Sequence, residues 1–349
     1  MDVEMRLRII GSESMGVRSL SCFIEVCGHA VLIDPGVALG FTRCALHPHP
    51  LQAAFSELSK VLLTSYWLKA TDIVVTHLHG DHIPLYNANP FQFPLSIVRN
   101  LNSRAVLWIK NIDSVTTYER ARFEELCKCF HGRVIHVNEG STSSDELIEF
   151  SGPYPHGLSR RTRVMAVRVG HDSSCVVHLS DTQLLIDEVI RKACLWRPKV
   201  VITDGPPLYR LRGALRAKVA KKASINVFKL ANHADYVIID HHVCRSVEGM
   251  RWLDSLRACI GNRVMCAADY MGRPRLLLEA WRKILYEVIP IRNNWFIASN
   301  YRGFGEMLSR YGSSIMELVK VVPREVTLSE EEVRKILRSV VTSREHRRE

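Results

Sequence analysis

Hydrophobic and polar positions alternate in short runs through the first third of the chain. Ser21-Cys22-Phe23-Ile24-Glu25-Val26, a turn at Gly28-His29 and Ala30-Val31-Leu32-Ile33 read as a hairpin that runs into Asp34-Pro35-Gly36. The period then changes. Between residues 50 and 68, Leu51, Ala54, Phe55, Leu58 and Leu62 fall on one helical face, and that helix leads into a short buried strand, Asp72-Ile73-Val74-Val75-Thr76. Residues 104–109 and 133–137 predict two more strands separated by a helix around 114–130. Residues 163–169 and 175–180 form a second hairpin pattern around the turn Gly170-His171-Asp172-Ser173. Two strand-then-acid units follow, one ending Asp204-Gly205-Pro206-Pro207 and one ending Asp240-His241-His242. This alternation predicts a layered α/β architecture.

After Asp269 helical spacing dominates. Ser329-Glu330-Glu331-Glu332 suits a capping box, and the charged tail beyond Thr342 is expected to fray. Residues 1–310 are expected to form one domain and 311–349 a helical extension with a charged tail. No internal repeat is visible in the sequence.

At 349 residues, 47% of them hydrophobic, the chain can bury a substantial core. No run of apolar residues is long enough to span a membrane, and Met1-Asp2-Val3-Glu4-Met5-Arg6 lacks the layout of a signal peptide. The ten cysteines are scattered without a Cys-x-x-Cys pair, which suits free thiols in a reducing compartment. A cytoplasmic location and no membrane partner are expected. Lysine plus arginine (47) exceed aspartate plus glutamate (36), a formal charge of +11 that favours anionic partners, from small substrates to nucleic acid. The excess is concentrated between Gly205 and Ala234, where Arg210, Arg212, Arg216, Lys218, Lys221, Lys222 and Lys229 stand with no acid among them. Leu211, Leu215 and Val219 recur every four residues there, so an amphipathic helix with a solvated basic face is expected; a dedicated anion-binding surface is the alternative.

The densest chemistry is Thr76-His77-Leu78-His79-Gly80-Asp81-His82. His77 and His79, two apart at a strand end, can project to one side, with Asp81 and His82 on the following turn. Pro84 is expected in the first turn of a helix whose N-terminus would add positive potential. Three imidazoles and a carboxylate this close are difficult to explain as packing, because buried polar groups need partners.

Thr-His-x-His-x-Asp-His after an apolar strand resembles the signature of the metallo-β-lactamase superfamily. The remaining family motifs are matched in order by Asp34, by His156 in Pro153-Tyr154-Pro155-His156-Gly157, by Asp181 in Leu179-Ser180-Asp181-Thr182-Gln183, and by His241. The order is similar to that of an archaeal branch of the superfamily. The resemblance covers residues 1 to about 270 and implies a four-layer αββα sandwich of metallo-β-lactamase type. It also implies a dinuclear metal-dependent hydrolase, with His77, His79 and His156 on one ion, Asp81, His82 and His241 on the other, and Asp181 bridging. The nitrogen and oxygen donors suit Zn²⁺ and are compatible with Mn²⁺ or Fe. Two such ions would acidify a bridging water and polarise an ester or phosphodiester under attack. Asp34 is expected to orient a ligand.

Two positions have competitors. His156 is preferred to His171, which the hairpin would carry to the far end from Asp181. His241 is preferred to His242 because successive strand residues face opposite ways and the family places its histidine directly after the strand. His242, with Asp81, is then expected to be catalytic, as a group behind the ligands or as a proton donor. Asp204-Gly205-Pro206-Pro207 reads equally as a pocket wall or a turn. His47-Pro48-His49-Pro50 reads as a loop with exposed histidines.

Asp240-His241-His242 also resembles the Asp-His-His motif of another phosphoesterase family, whose aspartate-rich N-terminal motifs are missing here. A nuclease or other phosphodiesterase acting on RNA or DNA is the runner-up activity. A nucleic-acid-binding module with a non-catalytic metal site is the reading from a different class.

Overall fold

The structure, a computed structural model, describes residues 4–112, 116–171, 174–298 and 304–345. The expected turn residues Asp172 and Ser173, the first residues of the helix expected at 114–130, and the last four residues of the tail lie outside them.

Among the described residues, twelve strands form two six-stranded sheets. The first holds β1 (Arg6–Ser12), β2 (Leu20–Val26), β3 (His29–Ile33), β4 (Asp72–Val75), β5 (Val106–Lys110) and β6 (Val134–Val137), in that spatial order. The second holds β7 (Ile148–His156), β8 (Ser159–His171), β9 (Ser174–His178), β10 (Val200–Asp204), β11 (Tyr236–Asp240) and β12 (Val264–Met265), again side by side in sequence order. In each sheet the second strand runs antiparallel to the first and the third, and the remaining strands add in parallel through helices. The halves therefore repeat one topology although their sequences show no repeat.

Side-chain alternation makes this a four-layer sandwich. Ile24, Val31, Ile33, Val74 and Trp108 of the first sheet share one buried cluster with Phe150, Met165, Val167, Val176 and Ile202 of the second. The intervening residues, such as Leu32, Ile73 and Leu107, or Val177, Val201 and Ile239, turn outward into apolar surface shared with the covering helices. Leu51, Phe55, Leu63 and Trp67 of the helix Pro50–Lys69 belong to that surface, as do Val189 and Ile190 of Asp187–Trp196 and Leu253 of Val247–Ile260. Each fully buried aliphatic or aromatic side chain contributes about 1.5–3 kcal/mol. Trp108 stacks on Phe150 between the sheets, ring centroids 5.9 Å apart.

The first hairpin turns at Cys27 and Gly28, both at positive φ, one residue earlier than expected. Three strands are absent from the sequence reading: β1, β7 and the two-residue β12. β1 follows a polar start, and β7 carries Gly152, Pro153 and Pro155, residues that normally interrupt strands. β7 tolerates them because it is an edge strand whose register shifts between Ser151 and Tyr154. No helix begins at Pro84. The chain instead doubles back, with the Leu85 N–H donating to the Phe93 carbonyl at 2.8 Å, so the expected helix dipole is not there. His49 is buried rather than exposed: its Nδ1 accepts from the Leu51 N–H at 3.2 Å and so caps the helix Pro50–Lys69. The helices Phe304–Val321 and Glu330–Glu345 bring Tyr311, Ile315, Leu318, Val333 and Leu337 into the main apolar cluster. The Ser329 and Glu332 side chains form the anticipated capping box.

Candidate metal centre

Strand direction gathers the chemistry. Because β2 and β8 are the only strands that run against the rest of their sheets, the C-terminal ends of the other strands in each sheet lie at one edge. Glu13 follows β1, Asp34 follows β3 and Thr76–His82 follow β4; His156 ends β7, Asp181 lies just beyond β9, Asp204 ends β10 and His241 follows β11. Asp34, Ser180 and His241 all have left-handed backbones, with φ of 47°, 52° and 60°. Such non-glycine geometry costs on the order of 1 kcal/mol each and is held here by the surrounding hydrogen bonds. Gly36 belongs to the same scaffold, since a Cβ there would lie 2.2 Å from the Ile83 nitrogen.

His77, His79, His156 and Asp181 bring one ligand-type atom each within 4.8 Å of one another, and so do Asp81, His82 and His241. Asp181 joins the groups. Its Oδ2 lies 3.0 Å from His156 Nε2, 3.4 Å from His82 Nε2, 3.6 Å from His241 Nε2 and 3.8 Å from His77 Nε2. Asp81 Oδ2 is 3.4 Å from His241 Nε2. Asp181 and these histidines are buried except for His79, which with Asp81 is partly open to solvent. His171 lies at the hairpin end, paired with Ser174 and remote from Asp181 in the strand register.

The supporting contacts fix ring directions. Asp34 accepts from the Thr76 N–H at 2.8 Å, from the Thr76 hydroxyl at 2.7 Å and from His82 Nδ1 at 2.9 Å, which turns His82 Nε2 toward Asp181. Thr76 Oγ1 also meets Ser180 Oγ at 2.6 Å, linking the two sheets behind His77. Burial opposes a charge on His82, but the carboxylates of Asp181 and Asp34 outweigh it and hold the pKa well above its usual value. Burial, with neighbouring imidazoles, pushes His77 well below its usual value and His79 to about 4. Three buried atoms of this cluster have no hydrogen-bond partner among the described residues: His77 Nε2, His82 Nε2 and Asp181 Oδ1.

His242 departs from the strand alternation expected of it. β11 ends at Asp240, and the left-handed His241 redirects the chain. The rings of His241 and His242 therefore both face the site, with centroids 4.6 Å apart and His242 Nε2 3.8 Å from Asp181 Oδ2. His242 Nδ1 shares a hydrogen bond with Asp204 Oδ2 at 2.6 Å, and the Gln183 N–H donates to Asp204 Oδ1 at 2.6 Å. Asp204 is thus part of the polar network behind His242.

Two further groups escaped the sequence reading. Arg245 is buried, donates through Nε to Glu13 Oε2 at 2.9 Å, and sets Nη2 3.1 Å from Asp81 Oδ2 and 2.8 Å from His241 Nε2. Its position four residues after His241 was the available signal. Glu13 had none, because β1 was not anticipated. Burial raises the Glu13 pKa to about 7 even beside Arg245.

Two mixed sheets face to face between helices, with a Thr-His-x-His-x-Asp-His turn leaving β4 and a histidine–aspartate cluster at the shared edge, define the class: an αββα protein of the metallo-β-lactamase fold. Within that class the chain belongs to the UPF0282 family. It is 36% identical over 293 residues to the UPF0282 protein of Methanosarcina mazei, covering 83% of this chain and 95% of that one. It is 33% identical to the UPF0282 protein of Saccharolobus solfataricus (81% and 93% covered) and 31% identical to that of Pyrococcus furiosus (81% and 92%). No protein-family model matches. Among solved structures it is similar to a metal-dependent hydrolase of the β-lactamase superfamily at 13% identity and a TM-score of 0.45, covering 75% of this chain and 95% of that one. It is also similar to an isothiocyanate hydrolase from Delia radicum gut bacteria at 12% identity and a TM-score of 0.39, covering 64% and 82%.

Proposed function

We propose that this chain is a metal-dependent hydrolase that uses two divalent ions, Zn²⁺ first among the candidates, on an ester or phosphodiester-type bond of a small anionic substrate. The observation that carries the reading is the set of orphaned atoms: His77 Nε2, His82 Nε2 and Asp181 Oδ1 are buried without a hydrogen-bond partner among the described residues and belong to the cluster that a cation would satisfy. His77, His79 and His156 would hold one ion and Asp81, His82 and His241 the other, with Asp181 shared. The chemistry such ions supply when bound is Lewis-acid polarisation of the bond under attack and acidification of a water.

The chain's own groups do the rest. Asp34 holds the His82 ring through Nδ1 and leaves Nε2 free for the site. Thr76 and Ser180 brace the two strand exits against each other. Asp204 holds His242 through Nδ1, and burial keeps the ring neutral, so His242 Nε2 is the atom we assign to take a proton from the attacking water and pass it to the departing oxygen. Arg245, anchored by Glu13, links Asp81 and His241.

The test is a panel of phosphodiester, lactone and thioester substrates assayed with added Zn²⁺ or Mn²⁺. Chelator-sensitive hydrolysis of one class is expected, reduced by at least about a hundredfold in Asp181→Ala. Metal-loaded protein that hydrolyses none of the three classes would contradict the proposal.

A further inference from the structure

The basic stretch after β10 departs from the amphipathic helix expected of it, because Leu211, Leu215 and Val219 do not form one buried stripe. Its helix, Gly213–Ala231, packs inward only from Val219 onward, through Val219, Ala223, Asn226, Val227 and Leu230. Residues 212–218 are all exposed, including Leu215 at 54%. The first turns therefore extend past the layer that the helix covers, and their charge serves no internal pairing. Among the described residues Lys222 and Lys229 reach Asp187, while Arg210, Arg212, Arg216, Lys218 and Lys221 have no acid within salt-bridge distance. Seven positive and no negative charges lie between Gly205 and Ala234, so this stretch supplies +7 of the chain's formal +11.

This surface is continuous with the metal centre. The strand that ends in Asp204 leads through Gly205-Pro206-Pro207 to Tyr209, whose ring lies between the guanidiniums of Arg43 (5.0 Å) and Arg210 (5.5 Å). Arg43 donates to the Arg245 carbonyl, and Arg245 touches Asp81. Arg43 also pairs with Glu279 at 3.6 Å and Arg245 is buried, so the uncompensated charge begins at Arg210 and runs along the projecting helix, which follows the strand end that carries Asp204 at the rim of the site. From Arg212 to Lys222 the helix is about 15 Å long, more than one phosphate occupies and enough for several phosphates of one strand. The histidines at the inner end are buried, which favours a single strand over a duplex.

We infer that the surface from Tyr209 to Lys221 docks a single-stranded nucleic acid and leads its backbone toward the metal centre. The inference rests on the hydrolase reading above and takes the phosphodiester it acts on to be that of a nucleic-acid strand in place of a small molecule.

The experiment measures binding of a labelled single-stranded RNA to the full chain in excess chelator across a salt series, so that docking is read without turnover. Affinity should fall steeply with salt, by a slope of about 0.7 per phosphate neutralised. Substituting Arg210, Arg212, Arg216 and Lys218 together by glutamine, which keeps helix propensity, should lower that slope by roughly 3 and weaken binding at least about tenfold. A control substituting Lys283 and Lys335 by glutamine should change neither, and unchanged thermal unfolding of all proteins excludes misfolding as the cause. Binding insensitive to the four substitutions overturns the inference, as does binding to anionic lipid vesicles without binding to RNA. If docking fails while metal-dependent hydrolysis of small esters persists, only this inference falls; if the protein takes up no metal, the hydrolase reading falls and docking is judged by itself.

Discussion

Asp204 is the residue whose role changed most between sequence and structure. As the last residue of β10 it looked equally like a pocket wall and a turn, yet its Oδ2 shares a hydrogen bond with His242 Nδ1 at 2.6 Å. An uncharged replacement keeps the shape and weakens the hold on the ring. Asp204→Asn is expected to lower turnover by about 10²–10⁴ with the substrate KM and the metal content unchanged; loss of metal in this variant would instead assign Asp204 to the scaffold of the cluster. The segment from His77 to His82 stood out by its density of ligand-type residues after a strand, whereas His156, Asp181 and His241 were located by the resemblance to the metallo-β-lactamase signature; the structure brings all seven into adjoining groups. His242 was only partly legible: strand alternation gave it the opposite face, and a left-handed backbone at His241 cannot be read from a histidine pair. Arg245 and Glu13 act through each other across 232 positions of sequence, a separation that no local pattern encodes.

At the level of elements, the strands with clean alternation and the helix starting at Pro50 follow from their periodicity, while β7 does not, because its prolines are tolerated only by virtue of its edge position. The turn before β3 carries a feature that periodicity cannot supply. His29 bridges Asp72 at 2.7 Å and Asp145 at 2.9 Å, tying the first sheet to the loop that precedes β7. Burial lowers the His29 pKa, but the hydrogen bonds and charges of Asp72 and Asp145 outweigh it, and the net shift is upward from 6.5. A raised folded-state pKa means that the contribution to stability is fully present below about 6.5 and is lost as pH rises through the folded value. Denaturant unfolding of wild type and His29→Gln should therefore show a stability gap that is largest near pH 5 and shrinks toward pH 9. A gap independent of pH would mean that the charged bridge contributes nothing.

On the scale of the whole molecule, the two halves repeat a topology in which one antiparallel excursion is followed by parallel additions, and that repetition is what brings strand ends from both sheets to one edge. Neither half owns the centre. His77, His79, Asp81 and His82 come from the first sheet, and His156, Asp181 and His241 from the second, so a cation there would also hold the sheets together and couple metal uptake to stability. The layered class was legible from the alternation of elements, but the duplication was not, because the halves share strand order and direction rather than sequence. The most direct test of the central claim is the metal content of the intact, purified protein after incubation with Zn²⁺ or Mn²⁺ and removal of free ion, measured alongside Asp181→Ala. The account predicts about two divalent ions per chain in the wild type and fewer in the variant; a wild-type chain that retains no divalent ion contradicts it.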